Sequence, residues 1–390
     1  MKVYLDNHST TQVDPRVFDV MTPYFLEKFG NPSSKGHSFG WEAEAAVDNS
    51  KKIISSFLDC EEDEIIFTAG ATESINIAHL GVAQTLFPKG NHIVTTEYEH
   101  SAVLDSLNLL SKKGFEITIL PLTKEGIVDP ERLKDALTDK TILVSVMTAN
   151  NEIGTVNDVN EIGRLCKERN IVFHTDATQA VGRLNLSFKN INADMLSFSS
   201  HKIYGPKGIG VLIIKNKFKL TPIMYGGGQQ KGLRPGTLNV PGIVGTARAI
   251  EIFSTDMKEE VEKLKRLRDK MFLDISSNLE GVKLNGSRDK RLPNNLNLSF
   301  NGVRSDNLIN ELHNIAISTG SACASEALTP SPTLKAIGLS DDEALSSIRI
   351  GIGRFNTEDE INFSTKRIIE TVEKLRNQSP NYMNAGKQNG

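Results

Sequence analysis

The chain has 390 residues, of which 38% are hydrophobic and 24% charged, a composition typical of globular proteins rather than of disordered or fibrous ones. Its 45 basic and 48 acidic residues leave a net charge of −3, so no basic field favours nucleic acid or an anionic membrane as a partner. The chain is longer than the size at which a single hydrophobic core usually stops growing, which predicts a large domain and a smaller one.

The N-terminus shows no signal-peptide pattern, because residues 2–5 already read as a strand, and no apolar stretch approaches the length of a membrane span. We therefore expect a cytoplasmic protein. The cysteines are widely spaced, at Cys60, Cys166 and Cys323. This spacing argues against a disulfide framework and against a CxxC-type metal site.

Short apolar segments alternate with helical patterns over residues 64–214. The segments are residues 65–67, 92–94, 116–120, 142–146, 171–173, 195–198 and 211–214. Apolar runs separated by helices predict a mostly parallel, seven-stranded sheet covered by helices on both faces. Ligands bind such a sheet at the C-terminal ends of its strands.

The first candidate site follows the strand at 65–67, where the chain turns into a helix. The amides around Ala71 and Thr72 then point along the positive end of the helix dipole and can hold a phosphate. The alternative is a plain strand-to-helix turn with Thr72 as the helix N-cap.

Two polar residues follow later strands at the same edge of the sheet. His100 follows the strand at 92–94, and its imidazole could lie over an aromatic ring or move protons, although a lone loop histidine is more often solvated or capping. Asn151 follows the strand at 142–146 and could bind a substrate carboxylate, although asparagine is also common in turns.

Lys202 and Asp176 are the most informative pair in the sequence. Lys202 lies beside Ser199 and His201 and just before a glycine-rich strand, where a lysine can hold an aldehyde cofactor as a Schiff base. Asp176 ends another strand, and an acid there can pair with a protonated pyridine nitrogen. Together they predict pyridoxal phosphate. Lys202 taken alone would more often be an ordinary surface lysine.

The chain after residue 214 contains a glycine-rich loop and a second domain. Residues 225–239 are too rich in glycine for a regular element, and serve either as a ligand or subunit contact or as a flexible connector. A helix over about 255–279 leads to half-exposed strands at 295–300 and 348–352, an α+β unit. We predict a large domain over 15–255, a small domain over 1–14 and 256–378, and a disordered tail over 379–390.

The three cysteines differ in their surroundings. Cys323 lies among small residues in a long loop, which predicts an accessible thiol. Cys166 lies beside Ile162 and Leu165 on a helical pattern and is expected to be structural. Cys60 lies among acids that disfavour its thiolate, so we assign it no role.

Several segments together resemble the cysteine desulfurases of the NifS/IscS type, which belong to the class V branch of fold-type I pyridoxal-phosphate enzymes. The resemblance covers nearly the whole chain. Its marks are residues 4–11 (YLDNHSTT), 30–34 (GNPSS), 71–74 (ATES), 150–154 (NNEIG), 176–179 (DATQ), 199–202 (SSHK) and 320–323 (GSAC). It implies an α/β fold-type I transferase with a large sheet domain and a smaller α+β domain.

The resemblance also implies roles for individual residues. Lys202 would bind the cofactor aldehyde, Asp176 would pair with the pyridine nitrogen, Gln179 would contact the ring hydroxyl, and His100 would stack on the ring. The phosphate would be held by Thr72, Ser199, His201 and, in a homodimer, by Thr237 of the partner subunit. The substrate carboxylate would be held by Asn151 and Arg349, and Cys323 would accept the sulfur.

The implied reaction converts L-cysteine to L-alanine. Lys202 would remove the α-proton while the ring delocalises charge, and a thiolate at Cys323 would attack the substrate sulfur and become a persulfide. The implied partners are L-cysteine, a second copy of the chain, and a sulfur-acceptor protein of iron–sulfur cluster assembly or another thiolation pathway. Nucleic acid and membrane are not expected.

The sequence departs from the family at two places. Pro235 stands where serine is expected, a change that should leave Thr237 in place. Housekeeping relatives commonly continue past Pro380 with a scaffold-docking segment, whereas this tail runs through Tyr382 into polar residues.

Two other functions stay open. A class V aminotransferase or selenocysteine lyase would not depend on Cys323. A silent subunit used as an interaction module would need neither Lys202 nor Asp176, and their presence argues against it.

Overall fold

The computed structural model describes residues 1–320 and 329–378. The strands are β1 (Val3–Tyr4), β2 (Ile65–Thr68), β3 (His92–Thr96), β4 (Glu116–Leu120), β5 (Thr141–Ser145), β6 (Val172–Asp176), β7 (Met195–Ser199), β8 (Gly210–Ile214), β9 (Val282–Leu284), β10 (Asn295–Phe300), β11 (Ile315–Ala316) and β12 (Ser347–Gly351). The helices are α1 (Pro15–Met21), α2 (Pro23–Leu26), α3 (Ser38–Leu58), α4 (Ala71–Leu86), α5 (Ser101–Lys112), α6 (Pro130–Ala136), α7 (Val159–Glu168), α8 (Val240–Asn278), α9 (Ser305–Glu311), α10 (Pro332–Ala336), α11 (Asp341–Leu345) and α12 (Glu358–Gln378).

The central sheet has the strand order β2-β8-β7-β6-β5-β3-β4. All of its pairs are parallel except those of β8, which runs antiparallel to both β2 and β7. The link from β7 to β8 has only ten residues, too few for the helical crossover that a parallel pair needs. The predicted seven-stranded, mostly parallel sheet is confirmed.

Both faces of this sheet are covered, as its apolar strands require. Val144 and Phe173 face one buried cluster, whereas their chain neighbours Leu143 and Val172 face the other. The alternation follows from the two-residue period of a strand. Because neither face meets water, the C-terminal strand edge is where a ligand can approach the sheet.

Helix α8 begins earlier than the sequence indicated, at Val240 rather than near residue 255. Residues 240–254 had no predicted element; Pro241 lies in the first turn of the helix, where proline is well tolerated. The side chain of Asn239 caps this end by accepting from the Gly242 amide at 3.1 Å. The N-terminal half of α8 packs into the large core and its C-terminal half into the second core.

The smaller sheet has the order β12-β10-β9 and is antiparallel. Our expectation that residues 295–300 and 348–352 are half-exposed was wrong, because every residue of β10 and β12 is buried. On one face, Asn295 and Asn297 donate to the Glu152 carbonyl at 3.0 and 3.2 Å. On the other face, the apolar residues of both strands pack in the core shared with α8 and α12.

Three expectations concern the limits of the fold. The division into domains at 15–255 and at 1–14 with 256–378 stays a prediction, and its boundary falls inside α8. The predicted disordered tail at 379–390 lies outside the described residues. Within residues 1–320 and 329–378, no helix is long and apolar enough to cross a bilayer.

Candidate active site

A cavity of about 800 Å³ opens where β3, β5, β6 and β7 end. The predicted site residues that line it are Ala71, Thr72, His100, Asn151, Asp176, Gln179, Ser199, His201, Lys202 and Arg349. Thr237 does not line it and is exposed in the glycine-rich loop. Cys323 lies outside the described residues. The sheet edge therefore brings together side chains from six separate parts of the sequence.

Lys202 ends a single 3₁₀ turn that follows β7. Its Nζ donates to the carbonyls of His8 and Ser9, at 2.5 and 2.7 Å. Carbonyl acceptors stabilise a primary ammonium and fix its direction. The N-terminal segment thus holds the lysine amine at the cavity wall.

The backbone after Lys202 is held in an uncommon conformation. Tyr204 has φ of 63°, in the left-handed region, which costs a bulky residue on the order of 1–3 kcal/mol. Its amide donates to Thr11 Oγ1 at 2.9 Å, and its hydroxyl accepts from the Arg354 amide at 2.6 Å. These contacts offset the strain and fix the turn that carries the lysine.

Asp176 ends β6 and is buried to all but 6% of its surface. Its Oδ1 accepts from the Thr178 amide at 2.9 Å. Glu99 lies behind it, where burial, with a smaller contribution from Asp176, raises the pKa of the glutamic acid to about 8. Glu99 can therefore stay neutral behind the cavity at neutral pH.

The N-terminus of α4 is free to hold an anion. Gly70, not Thr72, is its N-cap, so the sequence alternative of a Thr72 cap is wrong, and Gly70 has no side chain to accept from the first turn. A Cβ built on Gly70 would lie 3.6 Å from Ser199 Oγ, so the space between them suits a ligand atom. The 16-residue helix adds its dipole to these amides.

His100 combines the two interpretations that the sequence left open. It is the N-cap of α5, with Nδ1 accepting from the Ala102 amide at 3.1 Å, and it also lines the cavity. Because Nδ1 accepts, a neutral His100 carries its proton on Nε2. His201 bonds to Thr10 Oγ1 through Nδ1 at 3.0 Å, and burial lowers its pKa to about 4, helped by Lys202.

Arg349 brings a buried guanidinium to the cavity, with only 1% of its surface exposed. Nη2 donates to Asp6 Oδ1 at 2.9 Å and to Ser9 Oγ at 2.7 Å, and Nη1 donates to the Asn151 carbonyl at 3.1 Å. Among the described residues, Nε has no hydrogen-bond partner. A guanidinium so fixed suits a planar carboxylate.

The donor set fits pyridoxal phosphate. The uncapped α4 amides with Ser199 suit its phosphate, Asp176 suits a protonated ring nitrogen, and the Lys202 amine suits its aldehyde. The guanidinium of Arg349, which lines the same cavity, then suits an amino-acid carboxylate.

Sequence reasoning missed the N-terminal segment as part of the site. His8, Ser9 and Thr10 line the cavity, and so does Met147. Residues 4–11 had been noticed only as a mark of the family resemblance. Their position beside Lys202 depends on contacts almost 200 residues apart, which a local pattern does not encode.

The two described cysteines are both buried and free. Burial, reinforced by Glu64, raises the pKa of Cys60 to about 12, and burial also raises the pKa of Cys166. Thiols held in their neutral form are poor nucleophiles at neutral pH. The structural interpretation of Cys166 and the absence of a role for Cys60 agree with these positions.

The segment that contains Cys323 leaves and rejoins the described structure near the cavity. Before it, Ser318 pairs with Arg349 through backbone hydrogen bonds of 2.6 and 3.2 Å. After it, Ser331 Oγ donates to Glu152 Oε2 at 2.6 Å, next to Asn151.

Comparison with known proteins agrees with this arrangement. The family model described as aminotransferase class-V matches residues 3–363. "Cysteine desulfurase IscS" of Rickettsia typhi is 47% identical over 382 residues, covering 97% of this chain and 93% of the relative, and that of Rickettsia prowazekii is 46% identical over the same shares.

Solved structures agree as well. A "NifS-like protein" superposes with a TM-score of 0.90 at 37% identity, covering 96% of this chain and all of that one. A structure described as SspA in complex with cysteine gives 0.81 at 34% identity, covering 92% of this chain and all of that one. The chain therefore belongs to the class V aminotransferase family and, within it, to the cysteine desulfurases of the NifS/IscS type.

Proposed function

We propose that this enzyme uses pyridoxal phosphate to convert L-cysteine to L-alanine and transfers the sulfur to its own Cys323. The observation that carries the proposal is a single cavity lined by Lys202, Asp176 and Arg349. An amine, an acid and a buried guanidinium are what a cofactor aldehyde, a ring nitrogen and an amino-acid carboxylate require. Membership of the cysteine desulfurase family supports the choice of substrate.

We assign the cofactor contacts to the residues that the sequence predicted. Lys202 would hold the aldehyde, Asp176 the ring nitrogen, and Gln179 the ring hydroxyl, with His100 against the ring face. The phosphate would lie at the α4 amides of Ala71 and Thr72 with Ser199 and His201. When bound there, pyridoxal phosphate supplies an electron sink next to the substrate α-carbon.

Lys202 would act as the base that removes the α-proton. Its Nζ lies between two carbonyl oxygens at 2.5 and 2.7 Å, and these acceptors can hold the amine in place after it has gained a proton. Positioning matters more than basicity here, because a base must reach its proton at hydrogen-bond distance.

Arg349 and Asn151 would orient the substrate. Asp6, Ser9 and the Asn151 carbonyl fix the guanidinium through three of its four Nη protons, so that one Nη1 proton is left for a carboxylate. The substrate α-carbon would then be held in one orientation relative to Lys202.

Cys323 would receive the sulfur. Its thiolate attacks the substrate sulfur, the bond between that sulfur and the substrate β-carbon breaks, and the electron pair stays with the carbon, which takes up a proton as alanine forms. Gly320, three residues earlier in the chain, has its backbone beside Glu152, which follows the cavity residue Asn151.

We further propose that the chain acts as a cytoplasmic homodimer and passes sulfur to an acceptor protein. Large apolar side chains are exposed close together in the sequence, at Phe18, Phe25, Leu26, Phe29, Phe39 and Trp41, which favours burial by another chain. Exposed Thr237 would then reach the phosphate of the partner's site.

The decisive experiment follows alanine release from L-cysteine and the mass of the Cys323 peptide. We expect wild type to release alanine and to gain one sulfur atom on Cys323, and Cys323→Ser to lose at least 100-fold in desulfuration with a protein acceptor or dithiothreitol. Cys60→Ser, which replaces a buried cysteine, is the matched control and should retain activity. Undiminished desulfuration by Cys323→Ser would mean that Cys323 is not the nucleophile, as in a selenocysteine lyase that does not depend on it.

A further inference from the structure

Four side chains form a hydrogen-bonded series, the polar relay, which consists of Arg291, Asn295, His8 and Gln179. Arg291 Nη1 donates to Asn295 Oδ1 at 2.7 Å, Asn295 Nδ2 lies 3.2 Å from His8 Nε2, and His8 Nδ1 lies 3.0 Å from Gln179 Oε1. The first three residues are buried, and His8 and Gln179 also line the cavity. The relay therefore connects the start of β10 to the active site.

The first member sets the direction of every later bond. A guanidinium can only donate, so Asn295 must present Oδ1 to Arg291 and Nδ2 to His8. The second Nδ2 proton goes to the Glu152 carbonyl at 3.0 Å, which uses the remaining donor of Asn295. His8 Nε2 consequently accepts, its Nδ1 carries the proton, and Gln179 Oε1 accepts from it.

His8 stays neutral in this position. Burial is the main reason why its pKa falls to about 3, and the positive charges of Arg349, Arg183 and Lys202 contribute to this fall, against an opposing contribution from Gln179. A neutral imidazole has one proton to donate, and that proton is committed to Gln179.

Both ends of the Gln179 carboxamide are held by His8. Oε1 accepts from the imidazole, and Nε2 donates one proton to the His8 carbonyl at 3.1 Å. The second Nε2 proton is the group that Gln179 has left to offer to the cavity. We propose that His8 is a positioning residue that keeps Gln179 a hydrogen-bond donor toward the ring oxygen of pyridoxal phosphate, a role that rests on the proposed function.

The test titrates the visible absorbance of the purified holoenzyme against pH. His8→Leu removes the donor, so Gln179 can turn and the ring oxygen loses its partner. Because negative charge on that oxygen is then less stabilised, the midpoint of the absorbance change should rise by roughly 0.5 to 1 pH unit. His8→Asn, whose amide can donate near the position of Nδ1, should recover at least half of the shift.

A second variant reverses the relay while His8 is kept. Asn295→Asp can only accept, so His8 must put its proton on Nε2 and can no longer donate to Gln179. The midpoint should again rise. Asn297→Asp is the matched control. Asn297 lies two residues along β10 and donates to the same Glu152 carbonyl at 3.2 Å, so the variant introduces the same charge nearby. Asn297 is, however, bonded to Asn285 rather than to His8. Asn297→Asp should shift the midpoint by less than half as much.

The variants are repeated in a Gln179→Ala background. If His8 acts through Gln179, His8→Leu should there shift the absorbance midpoint by less than about a third of its effect in the wild-type background. The inference is overturned if His8→Leu leaves the midpoint unchanged, or shifts it equally with and without Gln179. A wild-type protein that shows no titratable visible absorbance with pyridoxal phosphate overturns the proposed function and this inference with it. His8→Ala replaces His8→Leu if the leucine variant does not fold.

Discussion

Glu99 is buried with one oxygen satisfied and the other without a hydrogen-bond partner among the described residues. Oε1 accepts from Thr96 Oγ1 at 2.7 Å and from the Met147 amide at 2.9 Å. Burial is the main reason why its pKa rises to about 8, against about 4.5 in the unfolded chain. The folded protein thus retains a proton that the unfolded chain has lost between these values.

This difference predicts a pH-dependent effect of Glu99→Gln. The stability contributed by protonated Glu99 is fully present below pH 4.5 and is lost as pH rises toward 8. At pH 7.5, the free energy of unfolding should have fallen by up to about 4 kcal/mol from this cause. Glutamine does not titrate, so the variant should gain stability relative to wild type as pH rises from 5 to 7.5. Urea unfolding of both proteins at several pH values measures the difference. A constant difference across this range would mean that Glu99 is ionised in the folded protein.

At the residue scale, the sequence identified ten residues that line the cavity but not what they bond to. Lys202, Asp176 and Thr72 follow strands or turns, so a local pattern places them at one edge. His8 could not be assigned in this way, because its importance comes from Gln179 and Asn295, which lie 171 and 287 residues away from it in the sequence. Local patterns thus found residues that follow strands or turns, whereas Gln179 and Arg349 were implied only by the family resemblance.

At the element scale, a buried ion-pair network joins α8 to the segments around it. Glu260 of α8 lies 2.7 Å from Arg354 and 3.9 Å from Arg183, and Arg354 lies 2.8 Å from Asp14. All four residues are largely buried. Removing one partner of a buried pair leaves an uncompensated charge, which costs far more than breaking an exposed pair.

Glu260→Gln should therefore destabilise the folded protein by about 3 kcal/mol, since Arg183 would lose its carboxylate partner and Arg354 would keep only Asp14. Asp274→Asn is the control on the same helix. It breaks the pair between Lys270 and Asp274, 2.8 Å apart and more than a third exposed, and should cost less than about 1 kcal/mol. Urea unfolding compares them, and equal losses would show that the network contributes no more than a surface pair.

Patterns at the element scale predicted which segments form strands, but not their surroundings. The alternation in residues 295–300 matches a half-exposed strand, because Asn295 and Asn297 are polar. Both asparagines are nevertheless buried, because their side-chain amides donate to the Glu152 carbonyl instead of to water. The sequence does not distinguish a buried asparagine that has hydrogen-bond partners from an exposed one.

At the scale of the whole molecule, the alternation of apolar segments with helical patterns was sufficient to predict a seven-stranded, mostly parallel sheet. It did not give the strand order or the antiparallel direction of β8, which depend on contacts between distant segments. The two cores likewise meet through α8, a continuous helix whose two halves pack into one core each. Length alone predicted more than one core, whereas the helix that connects them was apparent only in three dimensions.

The folded molecule also buries neutral histidines, two of them in contact beneath the central sheet. His79 Nδ1 lies 2.7 Å from Ser106 Oγ and its Nε2 lies 2.9 Å from Ser145 Oγ, and its ring packs edge-on against His174 at 5.0 Å. Burial lowers the pKa of His79 to about 3, and that of His174 well below its ordinary value. In the unfolded chain both titrate near 6.5.

As pH falls, the unfolded chain protonates these histidines before the folded protein does, so the holoenzyme should lose stability between pH 6.5 and pH 3. At pH 5 the loss should be about 2 kcal/mol for each such histidine. His79→Gln removes one titrating group while keeping a polar side chain, so its stability should fall by about 2 kcal/mol less than that of wild type between pH 7.5 and pH 5. His313→Gln, at an exposed position, should follow wild type. If His79→Gln and His313→Gln lose the same stability on acidification, the buried histidine does not contribute to acid sensitivity.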